Sequence, residues 1–122
     1  MVKFEWDEEK NFINIKKHNI SFEDAIVVFT DDNAIIMKDA EHSINEERFI
    51  TIGKIKGFYI IVVVYADRTV NKENEEIIRI ISSRYATKKE IKQYIDFNSR
   101  RGKWKTKNLK LKKNTIFQTA KI

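Results

Sequence analysis

The run "GFYIIVVVYA" at 57–66 constrains this chain more than any other segment. Its β-branched residues favour extended backbone, and its unbroken apolar character calls for a central strand covered on both faces. The rest of the chain must therefore supply sheet neighbours and covering layers. "NAIIMKD", the alternating "RFITIGK" and "EIIRIISSR" are the neighbouring strand candidates, separated by the polar stretches "EHSINEE" and "DRTVNKENE". "VKFEW" is a shorter candidate for a first strand.

Helices can provide the covers. Asp7 caps a helix running to about Lys17, with Glu8 and Glu9 in its first turn and Lys16, Lys17 and His18 collecting at its C-terminal end. Asn19 suits a left-handed stop. "SFED" from Ser21 is a capping box, and Phe22, Ala25, Ile26 and Phe29 form one apolar face of a second helix ending near "TDDN". Thr87 with Glu90 opens another helix, bearing Ile91, Tyr94 and Ile95. This order predicts an α+β fold: two N-terminal helices, an antiparallel sheet of about four strands, and a C-terminal helix.

A chain of 122 residues suits one domain, assigned here to 1–95, followed by a basic C-terminal extension at 96–122. From Ser99 onward there are 9 basic residues and no acid. That stretch reads either as an arm for phosphate contacts or as a tail whose Trp104, Leu109, Leu111 and Ile116 dock on the core or a partner.

Several classes drop out. No apolar run reaches the roughly 18–20 residues of a membrane helix. The opening "MVKFEWDEEK" is acidic and amphipathic, unlike a secretory signal, so a cytoplasmic protein with no membrane association is expected. Without cysteine there is no thiol nucleophile or zinc–thiolate site, and His18 and His42 do not stand in metal-ligand spacing. With three glycines there is no phosphate-cradling loop, and no cofactor is expected.

The charge is divided along the chain. Residues 1–66 hold 8 Lys/Arg against 12 Asp/Glu, while residues 67–122 hold 16 against 6. An acidic first part and a strongly basic second part suit either a polyanion partner or a solvated lysine-rich surface. Lys17, His18, His42, Arg48, Tyr65, Arg79, Arg84 and Tyr85 remain as side chains able to do chemistry. Such a set suits RNA cleavage without a metal: a ribose 2′-hydroxyl attacks the adjacent phosphate, arginines stabilise the phosphorane, and histidine, lysine or tyrosine moves the protons.

Each residue also has a structural reading. Arg79 can pair with an acid on a neighbouring element, and Arg84 can be a helix-entry charge. His18 can cap its helix, and Tyr65 can be a core residue. In a regular strand Arg79 shares a face with Ile77, Ile81 and Ser83. Arg84 then points the other way unless a bulge re-aims it.

The segments "FEWDEEKNFINIKKHNISFEDAIVVF", "DAEHSINEERFITIG", "VVVYADR" and "IRIISSRYATKKE" resemble the BrnT family of type II toxins in sequence and order, over about residues 2–94. The resemblance implies a RelE-like fold and a metal-independent endoribonuclease that arrests translation and growth. It also implies a BrnA-like antitoxin, through which alone operator DNA is bound. The family's motifs fall on Trp6, Lys17, His18, His42, Glu47, Arg48, Tyr65, Arg79 and Arg84.

On side-chain chemistry, Arg79 and Arg84 would hold the scissile phosphate, Lys17 or His18 would act as base or acid, and Tyr65 would orient a hydroxyl or donate a proton. Arg48, Tyr85, Lys88 and Lys89 would bind RNA. Asn19 replaces the family's glycine, and Tyr85 replaces its usual basic residue, trading a phosphate contact for stacking on a base. The alternative is a non-catalytic RNA- or antitoxin-binding module on the same fold.

Overall fold

The structure, a computed structural model, describes residues 2–68 and 75–100. Its elements are β1 (Val2–Glu5), α1 (Glu8–His18), α2 (Phe22–Ala25), a 3₁₀ segment (Ile26–Thr30), β2 (Ile35–Lys38), a 3₁₀ turn (Ala40–His42), β3 (Glu47–Ile55), β4 (Tyr59–Asp67), β5 (Glu76–Tyr85) and α3 (Lys88–Arg100). The α+β class expected from the sequence is present. Most of the polar β4–β5 loop and the tail at 101–122 lie outside the described residues. α3 continues past residue 96, where the composition of the chain begins to change.

The sheet departs from expectation in two respects. It has five strands in the order β1-β5-β4-β3-β2, and it is mixed, because β1 runs parallel to β5. β2 to β5 form the antiparallel part. "VKFE" is a full member of the sheet because it closes the outer edge of β5 and buries apolar area. Val2 and Phe4 pack on the core, and the Phe4 ring lies 5.3 Å from that of Phe29.

The second helix is also shorter than its pattern suggests. Only Phe22–Ala25 is α-helical, and the backbone then tightens to 3₁₀ through the β-branched run after Ile26. With a period near three, Phe22, Ala25 and Val28 line up and are all fully buried.

As its composition requires, β4 is covered on both faces. On one side Ile61, Val63 and Tyr65 meet Ile20, Phe22 and Phe29 from the α1–α2 layer. On the other, Val62 joins Ile35, Ile52 and Tyr94 of α3. Each such side chain contributes on the order of 1.5–3 kcal/mol. α3 is pinned through Asp31, whose Oδ2 accepts hydrogen bonds from the Tyr94 hydroxyl (2.7 Å) and the Lys54 backbone N–H (2.8 Å).

Gly53 in β3 lets the 3₁₀ segment approach. A Cβ there would stand 2.6 Å from Val28 Cγ2 and 3.1 Å from Ala34 Cβ. Gly53→Ala is expected to cost about 1–3 kcal/mol, read as a lower urea midpoint with an unchanged slope.

Candidate functional site

The β4–β5 register decides which arginines share a surface. Val64 pairs with Ser82, but the next residue, Tyr65, pairs with Ile80, so Ile81 is an extra residue in β5. That bulge reverses side-chain parity along the strand. Before it, Ile78 and Ile80 face α1 and Arg79 faces away; after it, Ser83 faces α1 and Arg84 faces away. Arg79 and Arg84 therefore share the α3 face, opposite Ala66 and Val62 respectively. Plain alternation put them apart, and it put Ser83 with Arg79; both expectations reverse at Ile81. Val62 and Ala66 are four residues apart on β4, so the two arginine backbones are separated by about 13 Å.

On this face one row crosses the sheet through Glu5, Arg79, Ala66 and Arg48. Arg79 and Arg48 flank the buried Ala66 at about 10 Å, two strand spacings. A chain of ion pairs links this row. Arg79 Nη1 donates to Glu5 Oε2 at 3.2 Å, and Arg68 lies 3.9 Å from Glu5 and 3.5 Å from Glu46. Arg48 Nε stands 3.5 Å from Glu46 without hydrogen-bond geometry. Three guanidiniums thus share the carboxylates of Glu5 and Glu46 in this chain of pairs.

His42 stands beside Arg48, and both line a pocket of about 250 Å³ together with Ile44, Asn45 and Glu46. Its Nδ1 lies 3.0 Å from Asp39 Oδ2 and 3.2 Å from Oδ1. A carboxylate can only accept, so Nδ1 carries the hydrogen, and in the neutral imidazole Nε2 then keeps its lone pair. The loop is fastened to β3: Asp39 N–H donates to Arg48 C=O (2.8 Å), and Ser43 Oγ accepts from Arg48 N–H (2.9 Å) and donates to Asp39 C=O (2.7 Å). In the sequence His42 carries a motif match and no role, because a loop histidine is bland by default. The Asp39/His42 spacing was the available signal.

The other expected residues stand elsewhere. Lys17 and His18 close α1 on the opposite layer, exposed and half-buried respectively. Tyr65 is 5% exposed in the core, stacked on Phe49 at 5.5 Å and edge-on to Phe29 at 5.0 Å. Burial pushes its phenol up to about 12. The structure does not bring Lys17, His18 or Tyr65 to the arginine row. Tyr85 ends β5 on the α1 face, and Lys88 and Lys89 begin α3.

Arg84 makes a bidentate pair with Glu90, at 2.8 and 2.9 Å, while Glu90 also accepts from Thr87 N–H at 2.9 Å. The pair joins β5 to the start of α3. The Arg84 hydrogen bonds hold the Glu90 carboxyl at about 2, below its ordinary 4.5. A lowered folded-state value means that the pair's contribution is complete above pH 4.5 and is lost as pH falls toward 2. Glu90→Gln is expected to cost about 1 kcal/mol at pH 7, solvent screening included, and the deficit should shrink in urea unfolding below pH 4.

No helix among the described residues is long and apolar enough to cross a membrane, and no group of three or more His, Cys, Asp or Glu there is placed to hold a metal ion. Residues 6–90 match the family model described as the ribonuclease toxin BrnT of type II toxin–antitoxin systems. The fold is similar to the crystal structure of the Brucella abortus ribonuclease toxin BrnT, with a TM-score of 0.53 and 29% identity, covering 72% of this chain and 100% of that one. A comparison with curated proteins finds no match.

Proposed function

This chain belongs to the BrnT family of ribonuclease toxins of type II toxin–antitoxin systems, and from that premise we propose that it cleaves RNA without a metal at the end of the sheet where Arg48, Arg68, Arg79 and His42 meet. The observation that carries the reading is the linked row of arginines beside a histidine whose Nδ1 is held by Asp39.

Nε2 of His42 takes the proton of a ribose 2′-hydroxyl as that oxygen attacks the adjacent phosphorus. Arg79 and Arg48 exchange their carboxylate partners for the phosphoryl oxygens as negative charge builds there. The P–O5′ bond breaks, the departing oxygen recovers the proton from the imidazolium, and a 2′,3′-cyclic phosphate remains. Balance is complete without any other reactant.

Lys17, His18, Tyr85, Lys88 and Lys89 then contact RNA away from the scissile bond. Arg84 keeps α3 in register with the sheet through its pair with Glu90. Tyr65 supports Phe49 next to Arg48 in β3. Every residue assigned to the catalytic unit lies within 1–95, and the basic extension begins inside α3, which runs to Arg100.

A type II toxin has an antitoxin partner; we take it to be BrnA-like, with operator DNA bound only through the toxin–antitoxin complex. The test is digestion of single-stranded RNA by the purified protein in EDTA, followed by analysis of the ends. Cleavage that persists in chelator and leaves cyclic phosphate ends supports the reading. Intact RNA at micromolar protein, with antitoxin binding retained, would identify a non-catalytic module.

A further inference from the structure

The opposite end of the sheet carries three exposed aromatic rings that core packing does not explain. Phe58, in the β3–β4 turn, is 70% exposed, Tyr59 is 43% and Tyr85 is 41%. The rings form a cluster: Phe58 and Tyr59 have centroids 4.4 Å apart, and Tyr59 and Tyr85 are 5.7 Å apart. The turn is built to present them, since Lys56 and Gly57 both adopt positive φ (52° and 84°) and Gly57 has open space around it.

The surround is basic. Lys56 precedes the rings in the turn, and Lys88 and Lys89 follow Tyr85 at the start of α3. The nearby acids are engaged, Asp24 by Lys56 at 3.5 Å and Glu90 by Arg84 at 2.8 Å. The last turn of α1, with Lys16, Lys17 and His18, lies toward this end, because Asn14 on the preceding turn hydrogen-bonds Ser83, two residues before Tyr85.

Separate rings set among cations match the requirements of single-stranded nucleic acid. Each base needs one ring face, and the phosphates between bases need positive charge. A stable protein partner would need a contiguous surface of roughly 800 Å² per side, which three rings at a turn do not offer. We propose that Phe58, Tyr59 and Tyr85 form a base-stacking platform for single-stranded RNA, outside the cleavage site. Tyr59 and Ala66 are seven residues apart on β4, and the rings stand on the α1 face while the arginine row stands on the α3 face. The platform is therefore at least about 23 Å from the row, and it engages nucleotides several steps from the scissile bond on RNA that passes round the edge of the sheet. The proposal rests on the ribonuclease reading above and adds to it where the substrate strand lies.

The test uses the full-length protein and a 2′-O-methyl RNA of about 12 nucleotides, which cannot undergo 2′-hydroxyl attack and lies within the site sizes of single-strand binders. Affinities are read by fluorescence anisotropy for the single strand and for its duplex. A Phe58→Ser/Tyr59→Ser variant, confirmed folded by its melting temperature, is expected to bind the single strand about a hundredfold more weakly, roughly tenfold per ring lost, with duplex affinity unchanged. A Phe58→Trp/Tyr59→Phe variant should restore binding.

Unchanged single-strand affinity in the serine variant, while the wild type still cleaves RNA, overturns the platform and leaves the ribonuclease reading standing. Loss of antitoxin co-purification with RNA affinity intact also overturns it, by assigning the rings to the protein partner. A wild type that neither binds nor cleaves single-stranded RNA removes the ribonuclease reading and the platform together.

Discussion

Replacing His42 with alanine is expected to slow RNA cleavage by about 10²–10⁴-fold while RNA affinity changes little. Among the described residues lining the pocket beside the arginine row, His42 alone offers a ring nitrogen that can accept and return a proton. Its orientation is set by Asp39, so Asp39→Asn gives an independent check. An asparagine can donate to Nδ1, which would move the ring proton to Nε2 and leave no base facing the substrate; a loss comparable to that of His42→Ala follows. Arg79→Ala and Arg48→Ala act on the other half of the chemistry, each lowering the rate by about 10²–10³-fold through lost charge stabilisation. They should also weaken binding and reduce its salt dependence, which His42→Ala should not. Single-turnover rates beside equilibrium affinities separate these effects. A His42→Ala protein that cleaves at the wild-type rate would move the site to the far end of the sheet, where Lys17 and His18 are the available proton carriers.

Much of the scaffold was legible because it rests on local rules. Asp7 accepts from the Glu9 and Lys10 backbone N–H groups, Ser21 accepts from Asp24, Thr87 and Glu90 form their box, and Asn19 takes left-handed φ at 59°. The central strand was readable from its composition. What escaped depends on pairing across the chain. β1 lies beside β5, so Arg79 meets Glu5 across 74 residues of sequence, and nothing near either residue announces it. The bulge at Ile81 interrupts a run of isoleucines with no glycine to mark it, and it is fixed only by how β5 registers on β4. The placement of Arg84 follows from that single extra residue. Sequence parity alone gave the opposite answer while identifying the bulge as the deciding event. The Asp39–His42 pair is hidden for another reason: the two are close in sequence, but the 3₁₀ turn that joins them has no periodic signature.

Asn14→Ala should be among the most destabilising single changes in the fold, at about 3 kcal/mol. Asn14 is 6% exposed on the inner face of α1. Its Nδ2 donates to Ile20 C=O (3.0 Å), Ser83 C=O (2.9 Å) and Ser83 Oγ (2.9 Å), and its Oδ1 accepts from Ser83 N–H (3.2 Å). β1 pairs with β5 only as far as Arg79, so at Ser83 the outer edge of β5 has no strand beside it. The carboxamide takes that strand's place, presenting one donor and one acceptor to the backbone as a ladder residue would. Alanine would leave both backbone groups of Ser83 buried and unpaired, at roughly 1–3 kcal/mol each. Ser83→Ala removes only the hydroxyl and should cost about 1 kcal/mol. Asn14→Asp should be at least as damaging as alanine, because a carboxylate cannot donate to the two carbonyls and would be buried facing them. Urea unfolding of the four proteins tests the order. A loss under about 1 kcal/mol in Asn14→Ala would mean that water satisfies Ser83, and that the carboxamide is not what closes the edge. The same contact bears on function: Ser83 lies between the bulge at Ile81 and Arg84, so a loosened edge there would also loosen the register that holds the two β5 arginines on one face.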